Sequence, residues 1–437
     1  MSIFRNLNEE NIIGNIIEVD TSRVFVRVTS VDRLRKTRVG RLNAINGRPG
    51  EWLIGMVEKV SRKPTDIIED EKHESDEQEA LIDSGNYIEE NLIKLVLLGT
   101  YRDVDGAKKN VFSRSLLCVP DIDAKCYALE GELLTEFMKT IAIQNENSNS
   151  LMLGQYALEE DTIAYLDANK LFQRHCALLG STGSGKSWAV ASILEQIGKL
   201  KNANAILFDI HGEYKTLDWA SQYRIAGPSD LESEDDNILF LPYWLLNYEE
   251  LLSMFLDRSD QNAPNQAMVF SKLVINFKKE FLSDTGRNEL LGNFTIDSPI
   301  PFNINEVIDE ITQLNEQMVQ GTRSEKQGPY YGKFDRFIPR LNAKLGDKRY
   351  GFLFLAPPYC NEYKFIDTLA EKLMGTGIKD GINTGIKVID FSEVPSDILP
   401  IIVGLVARLV FQIQYWLEKK LRHPILIVCD EAHLYLP

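Results

Sequence analysis

GSTGSGKS, Gly180 to Ser187, precedes a helical pattern from Lys186 to Leu200 and follows a short apolar stretch, His175 to Leu179. Glycines at these spacings let the backbone curl until successive N–H groups face one anion, and the helix N-terminus adds its positive dipole end. Ser181, Thr182, Gly183, Ser184, Gly185, Lys186 and Ser187 are therefore expected to cradle the phosphates of ATP. Lys186 should reach the β- and γ-phosphates, and the Ser187 hydroxyl should ligate Mg²⁺. A tight strand-to-helix turn would explain the glycines but not the Lys-Ser pair that ends the motif.

Outward from this loop the chain alternates strand and helix. Ala205 to Ile210, Ile386 to Phe391 and Ile425 to Cys429 are nearly continuous apolar runs, as expected of parallel strands covered on both faces. The last runs into Asp430 and Glu431, which places Asp430 for the Mg²⁺ shell and Glu431 to polarise an attacking water. A helix start that welcomes acidic residues would account for the same pair. ILFDIHGEY, Ile206 to Tyr214, ends its strand with Asp209, His211 and Glu213 around Gly212. These three are accessory candidates at the carboxyl end of the sheet, where ligands bind; a turn held by Asp and Gly accounts for the motif equally well. For His211, no second His or Cys completes a metal site.

The fold class is thus α/β, a P-loop parallel sheet spanning 151–437, with a helical insertion at about 247–348 that carries periodic runs such as NYEELLSMFLDR. Within it the tract Gln320 to Phe337, rich in Gly, Lys, Arg and Tyr, is a candidate mobile loop. Residues 1–145 read differently. Short β-rich segments (Ile12–Val19, Arg23–Thr29, Thr37–Leu42, Glu51–Val60, Leu92–Tyr101, Val111–Leu117) separated by turns predict a small all-β barrel. An acidic loop at 66–79 interrupts it, and an Asn/Ser-rich linker, Gln144 to Ser150, follows it.

The net charge of −16 argues against a simple basic-patch DNA binder, although screening over about 8–10 Å permits a locally basic channel inside an acidic exterior. Five cysteines without a CxxC pair point to a reducing, cytoplasmic setting. The N-terminus lacks the apolar core of a secretory signal. Leu399 to Leu417, the longest apolar run, is broken by Arg408, Gln412 and Gln414 and reads as a buried helix, so no membrane partner is expected.

LFQRHCALLGSTGSGKS (Leu171–Ser187), DIHGEY (Asp209–Tyr214), LPYWLLNYEEL (Leu241–Leu251), VIDFSEV (Val388–Val394) and IVCDEAHLYLP (Ile427–Pro437) together resemble the HerA ATPases of the HerA–FtsK superfamily. The resemblance implies a RecA-like core, an N-terminal barrel of the kind shared with ATP-synthase subunits, and a homo-oligomeric, hexameric ring. It further implies ATP-driven translocation of double-stranded DNA, with an effector on the barrel side: a NurA-like nuclease, or a sirtuin-like or nuclease effector of antiphage defence. It carries the ATP and Mg²⁺ roles onto Lys186, Ser187, Asp430 and Glu431. Arg174, in the RH dipeptide, resembles a position that contacts phosphates at subunit boundaries; a surface or interface salt bridge is its alternative role.

Only six residues follow Glu431, so the polar sensor strand and second arginine expected of the family would lie beyond Pro437, and the chain reads as a fragment or a truncated member. A sheet ending at this strand is expected to leave one edge unpaired. An ATP-binding scaffold that activates an effector without being a motor is the alternative function. A secretion-type ATPase shares the core but would carry membrane features not found here.

Overall fold

A computed structural model describes residues 3–20, 22–64, 89–106, 108–142, 150–157, 159–200, 203–320, 324–376, 378–379 and 382–436. The acidic loop at 66–79 and most of the linker at 144–150 lie outside these residues. The chain divides into two compact units, Met1–Leu178 and Leu179–Pro437.

The first unit is a closed antiparallel barrel. Its strands are β1 (Ile12–Val19), β2 (Arg23–Val28), β3 (Leu42–Asn46), β4 (Glu51–Pro64), β5 (Glu89–Asp105), β6 (Lys108–Ser113) and β7 (Lys125–Ala128). The order β2-β1-β7-β3-β4-β5 is closed by pairing of β2 with β5, and β6 hangs from β5. Alternation explains the closure. Val24, Val26 and Val28 point inward from β2 while Arg23 and Arg27 face out, and Val24 and Val26 register against Leu95 and Ile93 of β5. Thr37 to Leu42 is not a strand, because Ser30 caps a short helix over Val31–Lys36 and β3 begins only at Leu42. The sequence pattern also gave no sign of β7 or of the helix Gly131–Ala142, whose Leu134 and Phe137 pack beneath Phe4, Trp52 and Tyr101. A hairpin of β8 (Ser150–Tyr156) and β9 (Glu159–Asp167) packs against that helix and so belongs with the first unit.

The second unit is built on a parallel sheet. Its strands are β10 (Ala205–Asp209), β11 (Ala220–Ile225), β12 (Ile238–Leu239), β16 (Ile382–Asp390) and β17 (Leu426–Cys429), in the order β12-β11-β16-β10-β17. The short β15 (Ile378–Lys379) pairs antiparallel with β16. Every residue of β10 is buried, as its place between β16 and β17 requires. The 247–348 region is helical, with helices at Tyr248–Ser253, Ala263–Asp284, Ile304–Glu316 and Phe337–Gly346. The tract at 320–337 opens with a hairpin of β13 (Met318–Gln320) and β14 (Glu325–Gln327).

One expected strand is absent. Residues 173–180 form no ladder, and Leu178 and Leu179 are 45% and 89% exposed. Among the described residues β17 pairs only with β10, and an extended segment without a ladder neighbour keeps its backbone polar groups in water.

The apolar helix Leu399–Trp416 is long and apolar enough to cross a membrane, with a mean hydropathy of 1.5. Its residues Leu399, Ile402, Val403, Leu405, Val406, Leu409 and Val410 are buried in the core. Arg408, the break in the run, reaches the Glu250 carboxylate at 2.5 Å. Glu250 in turn closes the capping box with Asn247 that starts the helix Tyr248–Ser253.

Lys387 on β16 is 1% exposed and donates to Asn204 Oδ1 at 3.0 Å and the Gly375 carbonyl at 2.6 Å. Burial, with no carboxylate partner among the described residues, pushes its ammonium down to about 8. The unfolded chain therefore holds this proton longer than the folded one, and folding is penalised at neutral pH and relieved as pH rises from about 8 toward 10.5. Measured by urea unfolding, the stability of the wild type relative to Lys387→Met is expected to grow by on the order of 2 kcal/mol between pH 7 and pH 10.

Candidate functional site

The loop at 180–187 turns at two glycines in the left-handed region, Gly183 at φ +76° and Gly185 at φ +88°, and Gly185 caps the helix Lys186–Gly198. Gly180 is constrained for another reason: a Cβ there would lie 2.4 Å from Ser184 Oγ and 3.1 Å from Lys186 Cγ. Residues 181–185 are exposed, so their backbone is open to a ligand. Lys186 Nζ donates to the carbonyls of Gly180 and Ser181 at 3.0 and 3.4 Å, which folds the ammonium back over the loop. It also sits 3.9 Å from Glu431 Oε1. Two segments more than 240 residues apart in sequence thus meet across a single ion pair.

β17 delivers the acidic pair. Asp430 donates its N–H to the Phe208 carbonyl at 3.3 Å, and its own carbonyl accepts from the Tyr435 hydroxyl at 2.9 Å. Glu431 follows at φ +45°, a left-handed conformation costing a residue with a Cβ about 1–2 kcal/mol. That turn leaves the Glu431 carboxylate between Lys186 and His433, whose Nδ1 lies 3.3 Å away. Burial, with the neighbouring Glu431, Glu213 and Asp209, raises the Asp430 carboxyl above its usual range. Such a carboxyl costs stability at neutral pH and less as pH falls, so neutralising it should help the fold. In the presence of EDTA, Asp430→Asn is expected to raise the thermal midpoint by about 1–4 °C while abolishing any activity that needs the carboxylate, as calorimetry would show.

In the DIHGEY loop the acidic side chains have different partners. Asp209, fully buried, accepts N–H bonds from Glu213 at 3.1 Å and Tyr214 at 3.0 Å, and so holds the turn. Burial also raises its carboxyl. His211 is exposed. Glu213, by contrast, reaches the other motif: Ser187 Oγ donates to its Oε2 at 2.6 Å. Arg174 belongs to the first unit and is exposed.

Residues inside or beside the quoted motifs, to which the sequence assigned no role, complete the site. Tyr214 lies among Asp430, Ser187, Asp209 and Glu213, and burial with those carboxylates holds its phenol well above its ordinary range. Lys215 pairs with Asp390 at 3.1 Å, tying the loop to the end of β16. The signal for that tie was present, since Asp390 ends its strand as Asp209 ends its own, in register across the sheet.

Taken together, the chemistry available is that of a polyphosphate site. The exposed loop amides and one ammonium offer an anion cradle, and the facing carboxylates outnumber that ammonium. Among the described residues no cluster of His, Cys, Asp and Glu forms a ready metal cage. Mg²⁺ favours one or two protein oxygens together with phosphate oxygens and water, and the hard oxygens of Ser187 and Asp430 could serve as such donors.

Comparison with known proteins bears on this assembly of motifs. Residues 151–410 match the family model described as Helicase HerA, central domain. The chain is 35% identical over 189 residues to "Probable helicase MJ1565" of Methanocaldococcus jannaschii, covering 41% of this chain and 32% of that protein. It is 23% identical over 323 residues to "DNA double-strand break repair helicase HerA" of Pyrococcus furiosus, covering 66% of this chain and 52% of the relative. The chain therefore spans about a third to about half the length of these relatives. Among solved structures, VirB4 of Thermoanaerobacter pseudethanolicus aligns with a TM-score of 0.38 at 14% identity, covering 67% of this chain and 70% of that one. Because the family match takes in the cradle loop, the DIHGEY loop and β16 and extends over more than half of the chain, the protein belongs to the HerA helicase family.

Proposed function

We propose that this protein hydrolyses ATP and couples the hydrolysis to movement on double-stranded DNA, as a hexameric ring that supports a nuclease or other effector. The observation that supports the ATPase part of the reading is the approach of Lys186 to Glu431 at 3.9 Å, an ammonium suited to a phosphate beside a carboxylate suited to act on water; the DNA and ring parts rest on the family.

In this reading the amides of 181–187 bind the phosphates, and Lys186 leaves the Gly180 and Ser181 carbonyls for the β- and γ-phosphates. Ser187 and Asp430 hold Mg²⁺, which when bound neutralises phosphate charge and orients the γ-phosphoryl group. Glu431 accepts a proton from the attacking water as general base. Arg174 is assigned to a phosphate of a neighbouring subunit, where a guanidinium stabilises charge on the transferring group.

Contact with DNA is expected to be mainly to phosphates, and so salt-dependent. The test is ATP turnover with and without linear duplex DNA, alongside a solution mass with a non-hydrolysable ATP analogue. Stimulation by DNA that disappears in Lys186→Ala supports the motor. A ring of hexameric mass with no stimulation at low salt argues for the scaffold, as would effector activation that survives Glu431→Gln.

A further inference from the structure

The Ser187 hydroxyl has one proton and two lone pairs, and only the lone pairs can serve a cation. Where the proton goes therefore decides whether they face the metal position. Among the described residues that proton goes to Glu213, at 2.6 Å, and not to Asp430. The distance is that of a charge-assisted bond to a carboxylate.

The backbone that carries Glu213 is held in place. Asp209 accepts its backbone N–H at 3.1 Å and that of Tyr214 at 3.0 Å. Gly212 supplies a φ of +69°, and the adjoining Lys215 is anchored on Asp390 at 3.1 Å. The carboxylate is thus presented by a turn fixed at both ends and rooted in β10, an interior strand of the sheet.

We infer that Glu213 is a positioning residue that fixes the Ser187 hydroxyl with its lone pairs toward Mg²⁺, leaving Asp430 to face the cation directly. This rests on the nucleotide-site reading above. Partners that orient a metal ligand typically matter by about 10- to 100-fold in metal affinity.

The test is a titration of the full chain with MgCl₂ at fixed N-methylanthraniloyl-ADP, followed by fluorescence, and a parallel titration of the nucleotide in EDTA. Glu213→Ala is expected to raise the Mg²⁺ concentration for half-saturation by about 10- to 100-fold. Glu213→Gln, which keeps an acceptor oxygen, should recover most of that loss. Metal-free nucleotide binding in EDTA should be unchanged or stronger in both, since a negative charge near the phosphates has been removed. In a Ser187→Ala background, Glu213→Ala should add almost nothing, because the two act as one unit.

Equal losses in Glu213→Gln and Glu213→Ala would reduce the effect to charge and overturn the positioning role. So would additivity with Ser187→Ala, or a fall of metal-free binding in step with the Mg²⁺ effect. A wild-type chain that shows no Mg²⁺-dependent binding at all would instead remove the nucleotide-site reading beneath the inference.

Discussion

Replacing Lys186 by alanine is expected to lower ATP turnover by at least about 10²- to 10³-fold, the usual consequence of removing one preorganised charge from a transition state. The local electrostatics make the loss severe. The γ-phosphate enters a site already facing Asp430, Glu431 and Glu213, and repulsion from Glu431, Glu213 and the buried Asp209 helps raise the Asp430 carboxyl. Against these the loop offers amide dipoles and this one ammonium, within 3.9 Å of Glu431. Without it, phosphate and carboxylate meet with only the metal between them, so nucleotide affinity should fall together with turnover. Steady-state hydrolysis and nucleotide titration of the same preparation check both effects. A variant that retains turnover within about threefold of wild type would exclude Lys186 from the phosphate site.

Glu431→Gln should separate the two properties that Lys186→Ala removes together. The amide keeps the shape of the side chain and adds no constraint to the left-handed φ of +45°. It also relieves part of the repulsion on Asp430. Nucleotide binding is therefore expected to hold or tighten, while loss of a general base costs about 10²- to 10⁴-fold in turnover. Single-turnover hydrolysis after rapid mixing with ATP distinguishes this from slow product release. If binding and turnover fell in parallel, the role of Glu431 would be to hold the Lys186 loop rather than to activate water.

The cradle was legible because its chemistry is local: glycine spacing, a lysine, a hydroxyl and a following helix all lie within Gly180–Gly198. Asp430 and Glu431 were legible because an apolar strand that ends in two adjacent acids delivers both to the carboxyl edge of a parallel sheet, where ligands bind. The two roles within DIHGEY were not separable from sequence. Whether Asp209 or Glu213 faces the cradle depends on which carboxylate accepts the backbone amides of the turn, and that follows from the φ of Gly212 and the anchor on Asp390. In the barrel the period-two pattern of β2 was plain, whereas β7 is only four residues long and owes its existence to neighbours at β1 and β3. His175 to Leu179 shows the converse. Its apolar run has strand propensity, but a strand is a property of a pair, and no described strand stands beside it.

Calorimetric titration of the full chain with ATP, in Mg²⁺ and again in EDTA, for the wild type and Lys186→Ala, tests most directly whether loop and carboxylates form one site. Saturable binding that weakens sharply without Mg²⁺ and is lost in the variant is the expected result. No heat of binding in Mg²⁺, or binding indifferent both to the metal and to Lys186, would contradict it.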